Sequence, residues 1–314
     1  MTRKSIRRIM IIWIALMAIT AMLGKTSIAE NSGRTSADFL NVGVSARGAS
    51  LGNALTSAAN SVEAIYWNPA GMIFSDRAHL SFSHFDWLQD ISYDFLGATY
   101  PVSEKIAVGI GAQYLGYGKI DGYDSEDNPT GEVGSTFDCA GSASIAYRVS
   151  DNISIGMSGK FVMISLAGTR GSAMAADLGF RYSADRFTIG LAASNLGEKL
   201  KFESDENNLP ANIRGGFSIK PFGSALLASF EVKKELYGNL AIENGLEYNF
   251  DNRYFLRTGY DYSPDQLVKG FNKGVSVGIG AVLGPTQVDY AFTPGTGFSS
   301  ESIHRFSISL QIGR

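Results

Sequence analysis

Three histidines and one cysteine are the residues best suited to chemistry near neutral pH, and none of them stands in a pattern. His79, His84 and His304 lie in or beside segments of alternating polarity, with no second ligand at a metal-binding spacing. A hydrolase needs a nucleophile, a base and an orienting group converging on one face. Strands could bring His84 or His304 to one of the many serines, so that coincidence carries little weight. Cys139 sits in a strand-like segment and reads as a small packing residue. The glycine series "VGVSARGASLGNA", Gly43 to Ala54, lacks the Gly-Lys-Ser/Thr ending of a phosphate loop and no βαβ unit surrounds it. The residue types point to a protein that is not an enzyme and uses no cofactor or metal.

The amino terminus sets the compartment. Arg3, Lys4, Arg7 and Arg8 precede an apolar run from Ile9 to Leu23, followed by the small residues Ser27 and Ala29. This is the pattern of a secretory signal peptide, here residues 1–29. The run is short of the ~20 residues of a spanning helix. Without residues 1–29 the chain has 22 Lys plus Arg against 30 acidic residues, a formal charge of −8. That balance argues against a nucleic-acid partner. A single cysteine forms no internal disulfide, so packing or lipid must hold this exported chain together.

From residue 77 to residue 314 the sequence alternates with a period of two. Ile106, Val108, Ile110, Ala112 and Tyr114 oppose Ala107, Gly109, Gly111 and Gln113. Ile153, Ile155, Met157 and Phe161 oppose Ser154, Gly156, Ser158 and Lys160, and Phe306, Ile308, Leu310 and Ile312 oppose Ser307, Ser309 and Gln311. Fourteen such segments run from 78–87 to 302–313, most of the length a tilted strand needs to cross a bilayer. A soluble β-sandwich would give the same alternation with its apolar face inward. In a barrel the apolar face meets lipid, and the opposite positions Arg214, Glu243, Glu247, Arg257, Asp261, Asp289 and Arg305 line a lumen where acids and bases pair. Aromatic residues near segment ends suit an interfacial girdle: Phe85, Trp87, Tyr93, Tyr100, Tyr147, Tyr182, Phe187, Phe250, Tyr254 and Tyr262.

The stretch "AIYWNPAGM", Ala64 to Met72, places bulky Tyr66 and Trp67 against a proline and a glycine that break helix and strand alike. It ends a longer stretch, "FLNVGVSARGASLGNALTSAANSVEAIYWNPAGM" (Phe39 to Met72), which resembles the amino-terminal signature of the PorV/PorQ family of outer-membrane proteins. Its "NPAG" turn also resembles the hatch of FadL-type transporters. Further likeness runs through "LAASNLGEKLKF", "LPANIRGGFS" and "GLEYNFDNRYFLRTGY". The resemblance implies an all-β, antiparallel transmembrane barrel of about fourteen strands in the bacterial outer membrane. Residues 30–76 would fold inside it as a hatch, with Asn68, Pro69, Ala70 and Gly71 forming its turn. Tyr66 and Trp67 would anchor that turn, and Arg47 and Glu63 would be the hatch charges. It further implies a role in type IX protein secretion, with secretion components or cargo as partners beside membrane lipid. The FadL likeness implies the alternative, entry of a hydrophobic small-molecule ligand through a hatch-gated lumen.

Overall fold

The computed structural model describes residues 35–87, 90–132, 134, 136–202, 205–262, 274–295 and 302–313. The signal-peptide segment and residues 30–34 lie outside them. Fourteen strands make up the wall: β1 (Ala78–Asp86), β2 (Ser92–Pro101), β3 (Ile106–Gly116), β4 (Phe137–Arg148), β5 (Ile153–Leu166), β6 (Thr169–Ser183) and β7 (Phe187–Gly197), then β8 (Asn212–Ile219), β9 (Leu226–Glu235), β10 (Leu240–Phe250), β11 (Tyr254–Tyr262), β12 (Val275–Leu283), β13 (Thr286–Thr293) and β14 (Ile303–Ile312). Each pairs antiparallel with its sequence neighbours, and β14 pairs with β1 from Ala78↔Ile312 to Phe85↔Arg305, so the sheet closes on itself. Closure leaves no unpaired edge, which is what allows a sheet to sit in hydrocarbon.

The alternation of the sequence is the alternation of the wall. Ile110, Met157 and Phe306 are each more than half exposed, whereas their strand neighbours Gln113, Ser158 and Arg305 are buried. The barrel reading therefore holds and the sandwich is excluded, because here the polar face is the interior. Among the described residues no helix is long and apolar enough to cross a membrane. Crossing is done by strands.

Connections at one end are tight, at residues 149–152, 184–186, 251–253 and 284–285. At the other end the connections at 117–136 and 198–211 are longer, and these two carry structure of their own. Asp121–Tyr123 pairs with Pro129–Glu132 as a hairpin, and Leu200–Phe202 pairs with both Asp205–Asn207 and β6. In outer-membrane barrels the longer loops face outward.

The aromatic girdle is real at the short-turn rim, where Tyr100, Tyr147, Tyr182, Phe187, Phe250 and Tyr254 are all exposed. Phe85 and Tyr93 do not belong to it. They point into the lumen, are 1% exposed, and stack with centroids 5.1 Å apart. The reason is parity: on β1 the residues sharing Phe85's face are Ser81 and Ser83, both buried, while Leu80 and Phe82 face out.

Residues 35–75 lie within the wall as short pieces: a 3-10 turn at Asp38–Asn41, α1 (Ala46–Ser50), a 3-10 turn at Ser61–Glu63, α2 (Ala64–Trp67) and a 3-10 turn at Pro69–Phe74. This inner segment begins at the long-loop end, where Ser36 N–H donates to the Asn208 carbonyl, and runs down to β1 at the short-turn end. One side of it meets apolar wall. Leu40, Val62, Ile65, Trp67 and Met72 share a core with Phe85, Tyr93, Phe95, Leu115, Ala140 and Val162, all from β1–β5. Its other side meets the charged strands β8–β14.

Candidate functional site

The inner segment is built from residues that can turn within a confined space. Ser45 caps α1 by accepting from Gly48 N–H at 3.0 Å. Trp67 is fully buried, donates its indole N–H to the Asn53 carbonyl at 3.0 Å, and meets Tyr66 edge-on at 4.7 Å. Its ring lies over Gly48, where a β-carbon would overlap the indole. Only glycine fits there.

Asn68 explains the "NPAG" break. It caps the 3-10 turn Pro69–Phe74 through Ala70 N–H, which donates to its Oδ1 at 3.2 Å. Its Nδ2 donates to the Thr56 carbonyl at 2.9 Å and to the Phe180 carbonyl on β6 at 3.0 Å. From β5, Ser154 Oγ donates to the Ala70 carbonyl at 3.0 Å. Pro69 sits at the first position of the turn, where its missing N–H costs nothing, and Gly71 packs where a β-carbon would strike the Ala59 carbonyl. The turn is thus fastened to the apolar half of the barrel.

On the charged half, one chain of ion pairs links segment to wall. Glu63 accepts from Arg47 Nη1 at 2.8 Å. Arg47 Nε and Nη2 grip the two oxygens of Glu247 at 2.8 and 3.3 Å. Glu247 also accepts from Arg257 Nε at 2.7 Å, and Arg257 Nη1 reaches Asp289 at 2.6 Å. Burial disfavours the Arg47 cation, but Glu247 and Glu63 outweigh it and hold the guanidinium charged. Arg305 donates to the Gly43 carbonyl and lies 3.9 Å over the Phe85 ring, joining the two halves.

Arg214 lies over the Tyr66 ring at 5.5 Å and reaches Glu231 at 3.6 Å. Glu231 accepts from the backbone N–H and the hydroxyl of Thr56, both at 2.7 Å. Asp261 accepts from Asn53 at 3.4 Å. Glu243 is 1% exposed, with Glu231, Asp261, Arg214 and Lys233 as its charged neighbours. The structure therefore places all seven residues expected at the lumen on the inner face, where Glu247 directly meets the expected hatch charge Arg47.

Sequence reasoning omitted Glu231, Lys233 and the buried pair Lys160–Asp177, at 2.7 Å between β5 and β6. The signal was present for two of them: Lys160 opposes the apolar face of β5, and Glu231 shares parity with buried Ser229 on β9. The histidines are scattered. His84 and His304 face outward, at 2.7 Å from Asp94 and from the Tyr290 hydroxyl respectively, while His79 lines a cleft at the short-turn end. Among the described residues no cluster of three or more His, Cys, Asp or Glu side chains could hold a metal.

Two cavities differ in character. A 580 Å³ cavity at the long-loop end is lined by Phe39, Trp87, Ile91, Leu115, Ile164 and Leu166, with Asp38 and Asp138 as its charged lining residues. It stops at the inner segment. A 10 Å³ void lies beside Ile65, Tyr66 and Lys160.

Solved structures show the same architecture. The toluene transporter TbuX of Ralstonia pickettii matches with a TM-score of 0.59 and 15% identity, over 86% of this chain and 99% of that one. The toluene transporter TodX of Pseudomonas putida matches with 0.60 and 13%, over 86% and 98%. At such identity the likeness is one of fold, that of FadL-type outer-membrane barrels. No curated protein matches the chain. The family described as type IX secretion system protein PorV matches residues 26–228, nearly two thirds of the sequence and the whole inner segment. With a closed fourteen-stranded barrel around that segment, the chain belongs to the PorV family of type IX secretion proteins and resides in the bacterial outer membrane.

Proposed function

We propose that this barrel serves type IX secretion from its long-loop face, receiving exported polypeptide there and passing it to surface attachment, while residues 30–76 act as a hatch that keeps the lumen shut. The observation that carries this reading is the filled lumen: charged wall and inner segment interlock from Glu63 to Asp289, and the apolar cavity ends at the inner segment. A conduit for hydrophobic solutes needs a continuous apolar path past that point. Cargo handled at the outer rim needs none. The test is co-purification from a host that has the secretion system. A protein bearing a type IX carboxy-terminal signal domain is expected to come down with the barrel, and repeated recovery without such a partner overturns the reading.

The second reading, entry of hydrophobic small molecules, is favoured by the 580 Å³ cavity. Its lining carries two carboxylates and no base, which suits a neutral ligand better than a fatty acid. Saturable binding of toluene to the purified barrel would support it; the secretion reading expects none. In the same scheme residues 1–29 are a signal peptide, removed after Ala29. Mass spectrometry of the outer-membrane form is expected to show Glu30 as the first residue.

A further inference from the structure

The contact between inner segment and wall is not uniform around the barrel. Toward β1–β5 it is mainly an apolar core, with Gln113 and Lys160 as buried polar members. Toward β11–β14 it is polar, and two polar clefts lie along it. At the short-turn end a 220 Å³ cleft is bounded by Arg47, Glu63, Glu247, Arg257 and Asp289. At the long-loop end a 250 Å³ cleft is bounded by Asn53, Asp261, Ser276 and Arg305.

Both clefts show unmet hydrogen-bonding capacity. Asn53 Oδ1, Asp261 Oδ1, Ser276 Oγ and Arg305 Nε, all buried around the long-loop cleft, have no protein partner among the described residues. Arg257 Nη2, beside the short-turn cleft, is in the same position. Buried polar atoms without protein partners bind water or small ions.

Between the clefts, α1 and the two residues that follow it, Leu51 and Gly52, lie against the wall. The last residue of α1, Ser50, rests where a β-carbon on Gly278 of β12 would collide with it, and Ala46 N–H donates to Ser307 Oγ on β14 at 2.8 Å. Leu51 and Gly52 pack on Gly245 and Gly259, and Arg305 holds the Gly43 carbonyl. The charged link between α1 and the wall is Arg47, through Glu247.

We propose that the seam between α1 and strands β11–β14 is a gated path for water and small hydrophilic ions, with Arg47 as its latch. Its walls carry three arginines against four carboxylates, so passage slightly favours cations. The long-loop cleft shares Trp87 with the apolar cavity, whose other wall residues lie toward β3–β5 and away from the seam, and the proposal does not depend on the secretion reading.

The test uses the full mature chain with Cys139→Ser, reconstituted in planar bilayers in potassium chloride. The parent protein is expected to stay near the bilayer leak. Arg47→Ala is expected to raise mean current at least ~10-fold, as the loss of charge-assisted contacts does to a closed–open equilibrium. Glu247→Gln, which takes the charge from the wall side of the latch while Arg257 keeps Asp289, serves if the arginine variant does not assemble, and a rise in the same direction is expected. Val162→Ala, in the apolar core, is expected to stay at the parent level. Adding Ser276→Cys should make the Arg47→Ala current sensitive to a membrane-impermeant thiol reagent. Leak-level current in both latch variants, or current that modification of Ser276→Cys does not change, overturns the proposal.

Discussion

Arg47 and Glu247 are 200 residues apart in sequence and meet side on, through two hydrogen bonds of 2.8 and 3.3 Å. Glu247 is shared with Arg257, so a single wall carboxylate holds one arginine of the wall and one of the inner segment. Replacing it by Ala leaves two guanidinium groups without this partner, a change that costs ~3–5 kcal/mol when a buried pair is broken. Hydrogen exchange across residues 45–52 is expected to quicken by more than an order of magnitude, with β3–β5 unaffected.

Trp67 anchors the segment by burial rather than by charge. Trp67→Ala removes the ring from between Gly48 and Tyr66 and should cost ~3–5 kcal/mol of local stability. Loosening of residues 64–74 by hydrogen exchange and a rise in permeability of the reconstituted barrel are expected together. Loosening with unchanged permeability shows that the turn is an anchor and not a gate.

Asn68→Ala would strip the Thr56 and Phe180 carbonyls of their shared donor, at ~1–3 kcal/mol for groups left unpaired in a buried site. Asn68→Asp keeps the cap on Ala70 N–H but not the two donations, and should be nearly as damaging. Protease cleavage within residues 55–75 of the reconstituted barrel measures both.

The pair Lys160–Asp177 is 5% and 0% exposed, with Asn195 donating its N–H to Asp177 at 2.8 Å. Lys160→Met alone should destabilise by ~3–5 kcal/mol, and the double change Lys160→Met with Asp177→Leu should recover most of that loss. Heat-dependent gel mobility of the folded barrel is the measurement, and an additive double variant would argue against coupling.

The lipid face allows a depth test. Met157→Arg, in the middle of β5 and facing out, should cost ~2–4 kcal/mol of folding into vesicles. A similar change at Tyr147, on the short-turn rim, should cost far less.

The wall was legible because most strands repeat a period-two pattern locally: β3 and β5 announce both their length and their outward face. Phe85 and Tyr93 were misread because aromatic residues at strand ends were grouped by position and not by parity, which places them inside. Lys233 and Glu231 were passed over because β9 reads "LLASFEVKKE", with an apolar start that blurs alternation. The grip of Arg47 on Glu247 leaves no local trace, since it depends on which of fourteen strands comes to lie beside α1. The resemblance named Arg47 and the periodicity named Glu247. Neither could say that they touch.

The pairing of β14 with β1 has a consequence for how the molecule is made. β1 begins three residues after the inner segment ends, and it is also the strand that the last-made strand must find. The ring therefore cannot be sealed until β14 is present, and sealing it sideways imprisons whatever already lies across β1–β13. The early part of the chain is cargo loaded before the door is fitted. Once the final seam has zipped, it can leave only lengthwise.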